Sequence, residues 1–228
     1  MEGHRIIVTQ DGTRSLFSER FGVTYHSKYG AWRETQHVFV DAGLRYAAID
    51  RTAISILEIG FGTGLNCIAS LLHCAARAID LDYVGIDAFP VPRGTLAALS
   101  YAEDLAWEAR AQELWTRLCA LPWPSTADLA EVGSPRLLIE KRVGRCEDLN
   151  ERERYDLVYY DAFAPEAQPE LWTRERFAQV REALRLGGAL VTYCAKGQVK
   201  RDLRAVGFEV ERLAGPPGKR EMTRATKV

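Results

Sequence analysis

The sequence predicts an α/β chain, a doubly wound, Rossmann-like parallel sheet behind a strand-rich N-terminal extension, and three observations predict it. Ile54-Ser55-Ile56-Leu57-Glu58-Ile59 is a β-favouring run that leads into Gly60-Phe61-Gly62-Thr63-Gly64. That loop opens at once into a run with Leu65, Ile68, Ala69, Leu72 and Ala76 at helical spacing. Further strand-like runs at 81–87, 136–143, 155–161 and 189–195 alternate with helix-like segments, the pattern of parallel strands joined by crossovers. Carboxylates sit at the ends of three of these runs, as Glu58, Asp87 and Asp161.

The extension covers residues 1–50. Asp11-Gly12 between the runs 5–10 and 14–18 is a hairpin signal, and His37-Val38-Phe39-Val40 reads as a further strand. Phe17, Phe21, Tyr25, Tyr29, Trp32 and Phe39 form an aromatic set with two readings, packing against the main domain or a binding lid. The main domain covers 51–228. Pro92 suits the first turn of a helix, and 93–121 is helix-like with a break near Tyr101, ended by Pro122-Trp123-Pro124. This stretch, about 93–125, is an insertion in the strand–helix alternation and large enough for a small helical cap. A helix is expected from about 169 to 186, closed by Gly187-Gly188. Strands at 208–213 and 219–226 then make a terminal antiparallel hairpin, seven strands in all.

The glycine loop is not a phosphate loop. It lacks Gly-Lys-Ser/Thr, and its E-x-G-x-G-x-G spacing is not the dinucleotide G-x-G-x-x-G. Glu58 would repel a pyrophosphate but can accept a hydrogen bond from a cationic amino-acid group. Asp87, 23 residues after Gly64, stands where an acid accepts the hydroxyls of an adenosine ribose. A ligand with a ribose, a cationic amine and no phosphate fits, and S-adenosylmethionine is one. The expected cofactor set is Glu58, Gly60, Phe61, Gly62, Thr63, Gly64, Asn66 and Asp87. The loop after the 136–143 run offers Glu147 or Asp148 to an adenine, or is a solvated acidic turn. Asp161 ends an apolar, central-looking strand, at the edge where open α/β sheets bind ligands, and is the candidate working residue.

Composition narrows the class. The formal net charge of −1 announces no nucleic-acid partner globally. Locally, 196–228 holds nine Lys/Arg against four Asp/Glu, which suits phosphate contacts or a solvated face. Five cysteines (67, 74, 119, 146, 194) show no C-x-x-C or His-cluster spacing, so neither a metal site nor a disulfide framework is expected; they read as reduced thiols of a cytoplasmic protein. The longest apolar run, Leu65 to Ile79, is broken by Asn66, His73 and Arg77, and no membrane span is expected.

Four stretches together carry a resemblance: Glu58 through Asn66; Asp161-Ala162-Phe163-Ala164-Pro165 with Pro169-Glu170-Leu171-Trp172-Thr173; Gly207-Phe208; and Gly218-Lys219-Arg220-Glu221-Met222. Spanning roughly residues 5 to 226, the chain resembles the methyltransferase domain of the MnmC family, including its free-standing form often called MnmD. The resemblance implies a class I S-adenosylmethionine-dependent methyltransferase fold and methylation of 5-aminomethyl-(2-thio)uridine at the tRNA wobble position, hence contact with the anticodon region. It places the active-site aspartate on Asp161 and the ribose acid on Asp87. Bifunctional members also carry a flavin-dependent domain; no room for it is expected here, so another enzyme would supply the aminomethyl group. The family tends to place Gly-Asp after the third strand, where this chain has Gly144-Arg145, which shifts the adenine contact to Glu147 or Asp148.

A primary alkyl amine, with a pKa near 10.4, is protonated at neutral pH and cannot attack. Asp161 is therefore expected to orient the amine and accept its proton. Phe163 either stacks on a flipped-out base or packs in the core; Pro165, Lys219 and Arg220 complete the expected substrate set, the last two as phosphate contacts. The rival class is a methyltransferase or aminopropyltransferase acting on a small amine or a protein.

Overall fold

The run at 53–59 becomes the central strand of an eight-stranded sheet in the computed structural model, which describes residues 3–228; Met1 and Glu2, the start of the expected extension, lie outside the described residues. In chain order the strands are β1 (His4–Val8), β2 (Arg14–Ser18), β3 (Val23–Thr24), β4 (Ala53–Ile59), β5 (Asp80–Asp87), β6 (Ser125–Asp128), β7 (Leu137–Val143), β8 (Tyr155–Tyr160), β9 (Leu184–Thr192), β10 (Phe208–Ala214) and β11 (Glu221–Lys227). The first three form a small antiparallel sheet. The rest form the main sheet in the order β10-β11-β9-β8-β4-β5-β7-β6. Pairing is parallel among β9, β8, β4, β5 and β7 and antiparallel at both margins. The chain winds outward from β4 through β5 to β7, then returns to β8 on the other side of β4. The carboxyl ends of β4 and β8 thus flank the switch point where such sheets bind ligands.

Alternation along the strands divides the core. Ile56, Leu81, Tyr83, Leu157 and Tyr159 belong to one apolar cluster, and Leu57, Val84, Val158 and Tyr160 to the other, as side chains on opposite faces of a pleated sheet must. At the amino ends of the strands, Asp156 ties β8 to β4, accepting from Ser55 N–H (2.9 Å) and Oγ (2.7 Å) and pairing with Arg51 and Arg185.

Three elements differ from expectation. His37–Val40 is not a strand. Ala31–Glu34, Thr35–Leu44 and Arg45–Ala47 run on as one helix, α1, wound in the wider π form over Thr35–Leu44. A three-residue apolar run does not distinguish helix from strand; here Val38, Phe39 and Leu44 pack into the first cluster. Gly43 lets the helix approach the sheet, since a Cβ there would stand 2.9 Å from Val191 Cγ2. The helix expected at 169–186 is shorter. A 3₁₀ turn at Pro169–Leu171 precedes α6 (Arg174–Ala183), which is capped by Thr173 Oγ1 accepting from Arg176 N. Leu184–Leu186 already belong to β9, whose register with β8 jumps between the Tyr155–Leu184 and Leu157–Ala189 pairs, so Gly187-Gly188 mark a bulge and not a helix end. The insertion breaks twice, into α3 (Arg93–Ala97), α4 (Tyr101–Asp104) and α5 (Ala109–Ala120), and then adds β6 as an eighth strand.

The remaining helices are α2 (Leu65–Arg77) after the glycine loop and α7 (Gly197–Ala205) before β10. The extension shares the main core, with Leu16, Ala31 and Val38 in the same cluster as Ile56. All five cysteines are buried free thiols. Among the described residues no helix is long and apolar enough to cross a membrane.

Candidate active site

The glycine loop folds back on the strand ends because its backbone is held from two sides. Gly60 N and Phe61 N donate to Ile86 O (3.0 and 3.2 Å), and Gly62 N donates to Asp87 Oδ2 (2.8 Å). Gly60 takes φ +89°, and a Cβ there would lie 2.7 Å from the carbonyl oxygen of Asp161; only glycine fits where β4 and β8 come this close. Phe61 turns its ring over Gly85, where a Cβ would meet it at 2.3 Å, and packs edge-on to Trp123.

The loop lines a concave cavity that also takes in Asn66, Asp87, Phe89, Asp161 and Phe163. Asp87 accepts from the N–H groups of Gly62 and Phe89, both at 2.8 Å, one on each oxygen. A second lone pair on each oxygen remains for a ribose hydroxyl. Burial raises the Asp87 pKa, against these two hydrogen bonds. Glu147 lines the cavity with Gly144, Arg145 and Cys146. Asp148 does not; its Oδ2 caps the backbone N of Arg145 at 2.9 Å.

Asn66, on the first turn of α2, is the hub of the site. Its Nδ2 donates to Glu58 Oε1 and to Asp161 Oδ2, both at 2.8 Å, and its Oδ1 accepts from Thr35 Oγ1 at 2.8 Å. Glu58 is fully buried, its other oxygen taking the Tyr83 hydroxyl at 2.7 Å. Glu58 lies outside the cavity lining and braces Asn66, which lines the cavity. Burial pushes its pKa up to about 8, opposed by the bonds from Tyr83 and Asn66. Asp161 is held well above the ordinary carboxylate range, first by burial, then by the charges of Glu58 and Glu34, with the Asn66 bond and the Lys219 charge opposing.

Of the aromatic set of the extension, Phe21 and Tyr25 line the cavity. They pack on Phe163 with ring centroids at 4.9 and 5.0 Å. His26 lies between Ser15 Oγ (2.7 Å) and Thr63 Oγ1 (3.5 Å), and burial pushes its pKa down to about 4. The insertion is no cap over this cavity. It supports the loop from behind, through the Tyr101 hydroxyl donating to Thr63 Oγ1 at 3.0 Å and through Lys141, which donates to Leu118 O at the end of α5.

A second, more open cavity follows Phe163 along the chain, lined by Ala164, Pro165, Tyr193, Lys196, Lys219 and Arg220 among others. Lys219 is turned inward. Its Nζ lies 2.5 Å from Glu34 Oε1 and 3.9 Å from the centroid of the Tyr193 ring, whereas Arg220 is exposed. Sequence reasoning missed Glu34, Thr35 and Tyr193. The first two lie just ahead of the His37–Val40 run read as strand and carry no motif, and none surrounds the third; only the aromatic density around Phe21 and Tyr25 marked the extension as part of a site.

Comparison with known proteins agrees with this geometry. Residues 132–228 match a family model described as S-adenosyl-L-methionine-dependent methyltransferase. The tRNA 5-methylaminomethyl-2-thiouridine biosynthesis bifunctional protein MnmC of Ralstonia nicotianae is 34% identical over 219 residues, covering 93% of this chain and 33% of that protein; the chain spans about a third of the length of the curated relatives it matches. The crystal structure of MNMC2 from Aquifex aeolicus superposes with a TM-score of 0.74 at 25% identity, over 99% of this chain and 71% of that one. Spermidine synthase from Thermotoga maritima, at 16% identity and a TM-score of 0.55 over 98% of this chain and 73% of its own, shares the fold alone.

Proposed function

We propose that the chain is an S-adenosyl-L-methionine-dependent methyltransferase domain of the MnmC type and that it N-methylates 5-aminomethyl-(2-thio)uridine at the wobble position of tRNA, in the cytoplasm, a reading supported by the family match and the MnmC relatives. The observation that carries this reading is the placement of Asp161. It lies in the cofactor cavity, bonded to Asn66, while Ala164 and Pro165 of the same loop line the second cavity.

The residues present fit the cofactor: the loop Gly60–Thr63 with its two glycines, Asp87 for the ribose, Glu147 beside the adenine end, and aromatic rings between, while Gly64 lies outside the lining. When bound, S-adenosyl-L-methionine supplies a methyl group on a sulfonium. The chain's own work is then to hold the acceptor. Asp161 orients the amine and takes its proton at an oxygen not occupied by Asn66. Its raised pKa makes it a stronger base than an ordinary carboxylate, as proton abstraction from an ammonium requires. Asn66 keeps Asp161 in one rotamer, and Glu58, Tyr83 and Thr35 keep Asn66 in one; such holding supplies much of the rate in a displacement where positioning dominates. Phe163 forms a wall between the two cavities for a base to rest on, and Arg220 at the rim of the second meets RNA phosphate.

The test is transfer of labelled methyl to total tRNA lacking wobble methylaminomethyl groups, followed by nucleoside analysis. Label in 5-methylaminomethyl-(2-thio)uridine is the expected result. Unlabelled RNA with the cofactor bound would move the acceptor to a small amine or a protein.

A further inference from the structure

The substrate set above leaves one problem unsolved: an ammonium arriving beside a carboxylate is stabilised in the form that cannot react. Around Asp161 stand Glu34 on α1, Glu58 on β4, Tyr193 after β9 and Lys219 in the β10–β11 loop; His26 of the extension lines the same cavity as Asp161, its ring acted on by Glu34, Asp11 and Lys219. Glu58 faces away, both oxygens engaged. Of the other charged groups lining the second cavity, Lys196 pairs with Glu166 and Glu221 with Lys200, and Arg220 lies at the rim.

The Glu34–Lys219 pair is different because it is oriented. Glu34 is 7% exposed, takes the Ser27 N–H at 2.8 Å, and lies behind its partner; Lys219 is 31% exposed and lines the cavity. The positive end of the pair faces the acceptor side. Two independent links tie it to Asp161. Thr35, next to Glu34, donates to Asn66, which donates to Asp161, each bond 2.8 Å. Beneath Lys219, the Tyr193 hydroxyl donates to the carbonyl of Ala162, adjoining Asp161, at 2.8 Å.

We propose that Glu34 and Lys219 are positioning residues for proton removal, an ion pair whose ammonium end, facing the second cavity, biases the methyl-accepting amine toward its neutral form. The step balances as one N–H bond of the substrate ammonium breaking, its electron pair staying on nitrogen, and the proton passing to the Asp161 carboxylate, giving amine and carboxylic acid. This inference rests on the amine-methylating reading above and gives the second cavity a role beyond binding.

The experiment is the pH profile of kcat/KM for methyl transfer to aminomethyl-uridine tRNA, in wild type, Lys219→Met, Lys219→Arg and Glu34→Gln. Removing the positive end moves the acidic limb of Lys219→Met up by about one pH unit; removing its counter-charge moves that of Glu34→Gln down; Lys219→Arg keeps the wild-type limb. The opposite signs separate charge from structure, since a structural role lowers the plateau and leaves the limb in place. Unmoved limbs in folded variants overturn the proposal. If Lys219→Met does not fold, the direction of Glu34→Gln decides. Wild-type enzyme that methylates no aminomethyl-uridine overturns the reading itself, and is seen before any variant is assayed.

Discussion

The cofactor cavity and the acceptor side of this molecule are built in opposite ways. The first is mostly one continuous stretch, β4, the glycine loop and the start of α2, closed by Asp87 from the next strand. The second brings Glu34, Asn66, Asp161, Tyr193 and Lys219 together from five separate segments, the partners of one ion pair standing 185 positions apart in the chain. A ligand common to many proteins can be held by a local motif; an acceptor peculiar to one group is held by whatever the folded chain brings alongside. The difference teaches that the two halves should fail separately, and each prediction below tries to break that separation.

The largest effect is expected at their junction. Asp161→Ala should lower single-turnover methyl transfer by about 1,000-fold, the scale of a lost acid–base group, while cofactor affinity by calorimetry stays within about threefold. If affinity falls in step with rate, the two regions are one unit. Next, Asp87→Ala should weaken cofactor binding by roughly 10- to 100-fold, since hydrogen bonds to a charged group contribute about 1.5–3 kcal/mol each. The rate at saturating cofactor should then recover; a rate loss that saturation does not cure would mean that Asp87 also shapes the acceptor side.

Glu58 tests the shared foundation. Its folded pKa of about 8 lies above the ordinary value of 4.5, so between these values the native state holds a proton that the unfolded chain has released. The stability that this group contributes is complete below pH 4.5 and is lost as the pH rises toward 8. Wild-type thermal stability should therefore decline across that window, and Glu58→Gln should remove on the order of 2 kcal/mol of the decline. A variant that keeps the full slope would show that Glu58 is not the group titrating there. His26 works in the opposite direction, its pKa of about 4 removing stability as pH falls below 6.5, so the difference between variant and wild type is the quantity to read. The smallest effect is expected at the rim. Arg220→Ala should cost tRNA affinity a few-fold and reduce the salt slope by about one, as for one lost phosphate contact; an unchanged slope would take Arg220 out of the RNA interface.

Legibility in the sequence followed the same division. The strand before the glycine loop, the loop's spacing, and the strand-end acids Asp87 and Asp161 could be read because their meaning is local: a strand, a turn and a helix start within a dozen residues. Glu58 is read locally too, but the pattern gives only its position on the chain and not that Tyr83 and Asn66 take both its oxygens. His37–Val40 was misread because a β-favouring apolar run is indifferent until Gly43 lets it settle on Val191 as part of a helix. Leu184–Leu186 continued a helical pattern only on paper, with Leu186 73% exposed on a bulged strand.

What the sequence by itself determined is the periodicity and punctuation of the main sheet, the absence of a phosphate loop, and the acids at the strand ends, since short-range backbone and side-chain preferences set these. What only the tertiary structure decided is which of those acids line the cavity, that Phe21 and Tyr25 of the extension wall it, and that Glu34 meets Lys219 beside the second cavity. Those depend on contacts between segments far apart in the chain, and their energy exists only once the intervening core has packed.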